Sequence, residues 1–200
     1  MPPEPPANPY LSLPAFDEAT GDLNGIVDTP KHSRNKYEYD GKLGLFKLGG
    51  VLPAGAYFPY DFGYVPSTLG EDGDPLDVLI LMDEPAFVGC LVPARLIGVI
   101  EAEQTERDGE TTRNDRLIGA AADSRLLGRV RTLESLGPEL LEEIEHFFVS
   151  YNDIKGKVFK PLGRFGPQKA LKVVEEGAKL YRQSKRKRAP SKSGKAKKRG

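Results

Sequence analysis

From Gly25 to Val99 the chain alternates short apolar or β-branched stretches with Gly, Pro and Asp turns, the pattern of strands joined by tight loops. Candidate strands are Gly25 to Val27, Lys36 to Tyr39, Leu43 to Lys47, Leu76 to Met82 and Leu91 to Ile100. The polar stretch Gln104 to Arg113 reads as an exposed hairpin or loop, and Arg116 to Ala121 as one further strand. Then the period changes. Pro138 to Tyr151 sets Leu140, Leu141, Ile144, Phe147, Phe148 and Tyr151 at helical spacing, with Pro138 suited to the first turn and Gly156 just past the end. A second helix is predicted from about Pro167 to Arg182, burying Ala170, Leu171, Val174, Ala178 and Tyr181. Strands followed by helices predict an α+β domain: a small closed or nearly closed barrel with flanking helices.

Two hundred residues with 38% hydrophobic content suffice for one core. The expected division is a proline-rich arm over 1–20, a domain over 21–183 and a basic, disordered tail over 184–200. The net charge of zero conceals an asymmetry. Ser184 to Gly200 holds nine of the 29 basic residues and no acidic one, leaving 20 basic against 29 acidic, a net of −9, in the body. An acidic body suits carboxylates gathered around divalent cations. The tail suits either contact with nucleic acid or another polyanion, or simple solvation, and it lacks aromatics to stack on bases. The longest apolar runs are too short to cross a bilayer, and the first residues lack the features of a secretory signal. One cysteine, Cys90, excludes an intramolecular disulfide, so a reducing, cytoplasmic setting is expected.

The strongest chemical signal is Asp72-Gly73-Asp74-Pro75-Leu76-Asp77. Gly73 allows a sharp turn between two carboxylates, and Pro75 stiffens the chain before the strand. In that strand Leu76, Val78 and Ile80 share one face, and Asp77, Leu79 and Leu81 the other. Both faces are apolar except at Asp77. Two like charges ~4 Å apart at an effective dielectric of about 20 repel by about 4 kcal/mol. Three converging carboxylates therefore call for a cation, and Mg²⁺ takes carboxylates while keeping waters and bridging to phosphates. An Asp-Gly turn capping loop amides would account for Asp72, but poorly for Asp77. An EF-hand is excluded, because Asp77 stands where its glycine belongs.

Other signals depend on this loop for their meaning. In an extended Lys36-Tyr37-Glu38-Tyr39-Asp40, Lys36, Glu38 and Asp40 share a face, which alone is equally a solvent-facing edge. Tyr57 to Tyr64 carries five aromatics in eight residues and reads as core. Tyr151, followed by Lys155, Lys157 and Lys160, suits an anion or an ordinary helix end. His32 and His146 are isolated. Ser-His-Asp, Cys-His, Cys-x-x-Cys and P-loop arrangements are absent.

In this order and spacing the elements resemble the family I (soluble) inorganic pyrophosphatases, over about Gly25 to Leu180. Asp72 to Leu79 fits that family's Asp-x-Asp-Pro-x-Asp-x-x motif in full. Lys36 to Asp40, the turn from Pro59 to Gly63, and His146-Phe147-Phe148 leading to Tyr151 and Gly156-Lys157 support the match. The resemblance implies a five-stranded OB-like barrel with helices outside, and hydrolysis of pyrophosphate to two orthophosphates. It also implies Mg²⁺, with Mn²⁺ or Zn²⁺ as alternatives, and a homo-oligomer. Carried over, Asp72 and Asp77 hold metals, Asp74 is a metal-facing general base, and Glu38 binds a further metal through water. Lys36 and Tyr151 hold phosphate oxygens, with Arg116 and Lys157 as further substrate-binding candidates and Asp115 as a metal ligand. Departures mark a divergent member. The family's arginine is Gly50, its tyrosines are Phe58 and Phe62, one aspartate is Gln104, and Asp-x-Lys becomes Asn114-Asp115-Arg116. A lysine is Asn152, and Asp28 stands for a glutamate; Asp115, Glu103, Lys47 and Arg116 are the nearby candidates to take over lost roles. The alternatives are a relative that hydrolyses or binds another phosphoanhydride, and a nucleic-acid-binding barrel.

Overall fold

The computed structural model describes residues 8–188; the first part of the expected proline-rich arm, 1–7, and most of the expected basic tail, 189–200, lie outside the described residues. The strands are β1 (Leu23–Thr29), β2 (Asn35–Asp40), β3 (Leu45–Val51), β4 (Asp61–Tyr64), β5 (Asp77–Leu81), β6 (Leu91–Thr105), β7 (Thr111–Arg113), β8 (Arg116–Ala121) and β9 (Val158–Phe165). The helices are α1 (Pro9–Ser12), α2 (Pro138–Ile154) and α3 (Pro167–Arg188). Five strands close a ring: β1 pairs with β4, β4 with β5, β5 with β8, β8 with β6, and β6 returns to β1. Only the β5–β8 pair is parallel within that ring. This is the expected small five-stranded, OB-like barrel of an α+β domain with helices outside.

Close approach lets the ring shut. A Cβ on Gly63 of β4 would lie 1.9 Å from the Ile26 carbonyl oxygen of β1, so only glycine fits there. The long strand β6 serves two sheets of contacts. Its first part pairs with β1 and β8, and its last part carries β7 and β9 beyond the ring. The β2–β3 hairpin stands as a separate two-stranded ribbon.

The two faces of β5 are both covered, as its sequence requires. Leu79 and Leu81 join a cluster with Phe58, Phe62, Ile118 and the α2 residues Leu141, Ile144 and Phe148. Val78 and Ile80 join Leu23, Val27, Leu117 and the α3 residues Ala170 and Val174. Burial of such side chains contributes roughly 1.5–3 kcal/mol each.

Four expectations change. Asp61–Tyr64, read as part of an aromatic turn, is a ring strand, because Asp61 is fully buried and accepts the Lys31 and Ala86 N–H groups. β9 was not expected, since Pro161, Gly163 and its charges hide any alternation; it lies outside the ring along β6. The second helix runs on to Arg188, so Ser184–Arg188 is helical, and Leu171 is exposed while Gly177 packs beneath Leu76. Residues 8–20 of the proline-rich segment pack on the body: Tyr10 meets Tyr39 and Phe46, and the Tyr181 hydroxyl donates to the Leu11 carbonyl. Among the described residues no helix is long and apolar enough to cross a membrane.

Candidate active site

One end of the barrel opens into a cleft of about 340 Å³. The acidic loop forms one wall. Gly73, at φ +89°, turns the chain so that the Asp74 N–H reaches the Asp72 carboxylate at 3.1 Å and the Gly70 N–H reaches the Asp74 carbonyl at 2.7 Å. The loop is anchored from outside by the Leu69 N–H on the Gly177 carbonyl of α3 and by the Leu76 N–H on the Thr68 hydroxyl. Asp77 opens β5 and faces the same space. The hairpin strand β2 contributes Lys36 and Glu38, two residues apart and therefore on one face. The last turns of α2 contribute Tyr151 and Asn152, and the chain just beyond it Lys155 and Lys157. Gln104 and Glu106 from β6 and its turn, with Asn114 and Arg116 before and at the start of β8, form the far wall.

The electrostatics are divided. Lys36 Nζ lies 2.7 Å from Asp28, both side chains nearly buried, and 4.7 Å from the Phe62 ring centroid. Burial pushes Asp28 up to about 6 against the pull of Lys36. Arg116 sits between the Phe148 and Phe159 rings, 2.7 Å from Asp77 and bonded to Asn114, with its Nε buried and unpartnered. Lys157 lies 2.8 Å from Glu106. Among the described residues Glu38, Asp72 and Asp74 make no ion pair. Partial burial, then repulsion from neighbouring acids, pushes Asp72 up to about 6 and also raises Asp74, although both remain water-accessible. Burial, then Asp77 and Asp28, raises the Tyr151 phenol. The site thus holds acids that repel one another, facing cations.

This donor set fits divalent cations. Among the described residues no three carboxylate, imidazole or thiol groups already stand at coordinating distance. Mg²⁺ accommodates such spacing by keeping several of its waters, with carboxylates reaching it directly or through them.

The family model for inorganic pyrophosphatase matches residues 25–182. The chain belongs to the inorganic pyrophosphatase family. An inorganic pyrophosphatase of Synechocystis sp. is 37% identical over 170 residues, covering 85% of this chain and 97% of that protein. The crystal structure of inorganic pyrophosphatase from Thermus thermophilus superposes with a TM-score of 0.78 at 35% identity, covering 88% of this chain and 99% of that one. A structure of the Neisseria gonorrhoeae enzyme gives 0.76 at 33% identity, covering 88% and 98%.

Within this inorganic pyrophosphatase fold, the structure brings Lys36, Glu38, Asp72, Asp74, Asp77, Arg116, Tyr151 and Lys157 to one cleft. Asp115 is not among them. Its carboxylate accepts the Ala102 N–H at 3.0 Å and lies 2.5 Å from Arg113 Nε, beside a smaller hollow behind the loop, because neighbours on an extended segment point oppositely. Expected as a metal ligand, it is not brought to the cleft with the other candidates. Lys47 pairs with Asp40 outside the cleft at 3.1 Å, and Glu103 is not on the cleft wall, where its neighbour Gln104 stands. The expected convergence of three free aspartates is also modified, since Asp77 is bound by Arg116. Asn152, where the family's lysine is expected, lines the cleft, and its side-chain nitrogen donates to the Phe148 carbonyl at 2.8 Å. Phe58 is wholly core, packed on Phe62, Phe147 and Tyr151. Lys155, which the sequence reading set beside Tyr151 as a group suited to an anion, also lines the cleft; the Gln104–Asn114 amide pair is a cleft feature that the sequence reading missed.

Proposed function

We propose that this chain hydrolyses inorganic pyrophosphate to two orthophosphates in the cleft, with divalent cations held by Glu38, Asp72, Asp74 and Asp77, and Mg²⁺ as the preferred ion. The observation carrying this reading is the meeting, in one cleft, of unpaired carboxylates with a cationic wall. Bound divalent ions would supply neutralisation of the substrate's charge and acidification of water. Lys36, Arg116, Lys157 and the Tyr151 hydroxyl are placed to hold phosphate oxygens. Asp74, raised from its ordinary range by burial and by Asp77 and Glu38, is the base that accepts a proton from the attacking water. Phosphoryl transfer is chiefly a problem of position and charge, so fixed charges carry most of the catalysis. Asp28 keeps Lys36 aimed from below.

The test is phosphate release by the wild type beside Asp74→Asn, with Mg²⁺, Mn²⁺ or Zn²⁺, on pyrophosphate, triphosphate and a nucleoside diphosphate. Loss of a positioned base lowers turnover roughly 10²–10⁴-fold. Wild-type protein that releases no phosphate from pyrophosphate with any of the three ions would overturn the reading. Homo-oligomerisation is part of the same proposal: Leu43, Leu45, Leu48 and Val51 are exposed along the β2–β3 hairpin. Sedimentation equilibrium checks it, and a monomer at every concentration would refute it.

A further inference from the structure

The cleft holds four cationic side chains, and their partners divide them unequally. Lys36 is matched by Asp28 at 2.7 Å, Arg116 by Asp77 at 2.7 Å and Lys157 by Glu106 at 2.8 Å. Lys155 has no carboxylate within ion-pair reach among the described residues. Its ammonium instead donates to the Tyr151 hydroxyl at 2.5 Å and lies 4.4 Å from the centre of that ring.

An ordinary lysine at a helix end would extend into water beside the last carbonyls. Lys155 caps α2, one turn after Tyr151, yet its side chain folds back along the phenol and into the cleft. Gly156, at φ +70°, ends the helix immediately afterwards and lets the chain turn toward β9. Burial, with Lys36 and Lys157 adding to it, lowers the pKa of Lys155 from its usual value, while Glu38 opposes the shift. A half-buried ammonium with no counter-ion, held over a ring and a phenol, is poised for an anion. The other three cations must share themselves between a ligand and an internal carboxylate. Lys155 need not.

We propose that Lys155 is a substrate-binding residue of this chain, its ammonium, oriented by Tyr151, taking a phosphate oxygen of pyrophosphate. The proposal rests on the hydrolytic reading above and adds to it the one cleft cation that, among the described residues, is not already paired with a carboxylate.

The experiment compares full-length wild type with Lys155→Met, Lys155→Arg and, as a surface control, Lys160→Met, whose lysine is exposed on β9. Steady-state hydrolysis of pyrophosphate is measured with saturating Mg²⁺. Binding of inorganic phosphate is measured by calorimetry under the same conditions. A lost charged hydrogen bond predicts that Lys155→Met raises KM by about tenfold or more, with a smaller change in kcat. Phosphate affinity should fall by a similar factor, Lys155→Arg should recover part of both, and Lys160→Met should match wild type. Thermal melting establishes that each variant is folded; if Lys155→Met is not, Lys155→Gln replaces it in both assays. Unchanged KM and unchanged phosphate affinity in a folded variant would overturn the proposal. If wild type binds phosphate but does not release it from pyrophosphate, the hydrolytic reading fails, while the calorimetric comparison still decides the role of Lys155.

Discussion

Side chains in the cleft differ less in type than in what already neutralises them. Arg116 shows this most clearly: it is almost wholly buried, lies between two aromatic rings, and has Asp77 as its ionic partner. Replacing Asp77 with Ala leaves that guanidinium without its counter-charge. We expect Asp77→Ala to lose about 2 kcal/mol of stability in urea unfolding, less than a fully buried pair because Asp77 keeps water contact. Gly50 offers the opposite kind of test. It lies across from Lys36 in the β2–β3 ribbon, and a Cβ there meets nothing within 4 Å. An arginine at this position would share the face of Lys36, since directly paired residues point to the same side. Gly50→Arg is expected to lower KM for pyrophosphate on the order of tenfold, the effect of one charged hydrogen bond. An unchanged KM would place that side chain outside the reach of the substrate.

At the level of elements, the acidic loop depends on the strands it joins. β4 holds β5 in register from Asp61 opposite Ile80 to Tyr64 opposite Asp77, and β5 presents Asp77 at its first residue. β4 in turn approaches β1 at Gly63 more closely than any side chain permits. Gly63→Ala therefore forces ring strands apart, and we expect a loss of about 3 kcal/mol in chemical unfolding. Activity and stability should fall together, in contrast to Asp74→Asn, which changes activity alone. The sequence made α2, α3 and β5 legible because each carries its own period over many residues. It hid β4 and β9. Aromatics and Pro59 around β4 mimic a turn, and β9 takes its conformation from pairing with β6, with Pro161 opposite Ala102 beside a register shift.

For the molecule as a whole, the acidic cleft couples folding to protons and metal. Asp28 and Asp72 both rise to about 6 from an ordinary value of 3.8. The native state therefore binds more protons than the unfolded state between those values. Their contribution to stability is fully present below about pH 4 and is lost as pH rises through about 6. In metal-free protein these groups should make Tm decline across that window, partly offset by Glu101 and Glu106, which their lysine and arginine partners hold below the usual range. Added Mg²⁺ should restore Tm most strongly above pH 6, where Asp72 is ionised, and a chelator should reverse the gain. Thermal melts with and without Mg²⁺ at pH 5 and pH 7.5 check this; an equal metal effect at both would contradict it.

The amino-acid sequence alone determined the acidic motif, the two long amphipathic helices and the doubly buried strand, because spacing and period are local properties written into consecutive residues. Which charges meet was decided only by the tertiary structure. Barrel closure brings Arg116 to Asp77, packing of β1 under the hairpin brings Asp28 to Lys36, and the one-residue offset after Asn114 turns Asp115 away to Arg113. Such pairings join residues from different elements, where a shift of one position along a strand reverses a side chain. What remains without an ion pair among the described residues after they form, the carboxylates of Glu38, Glu71, Asp72, Asp74 and Glu110 with the ammonium of Lys155 facing a single cleft, is a property of the assembled fold.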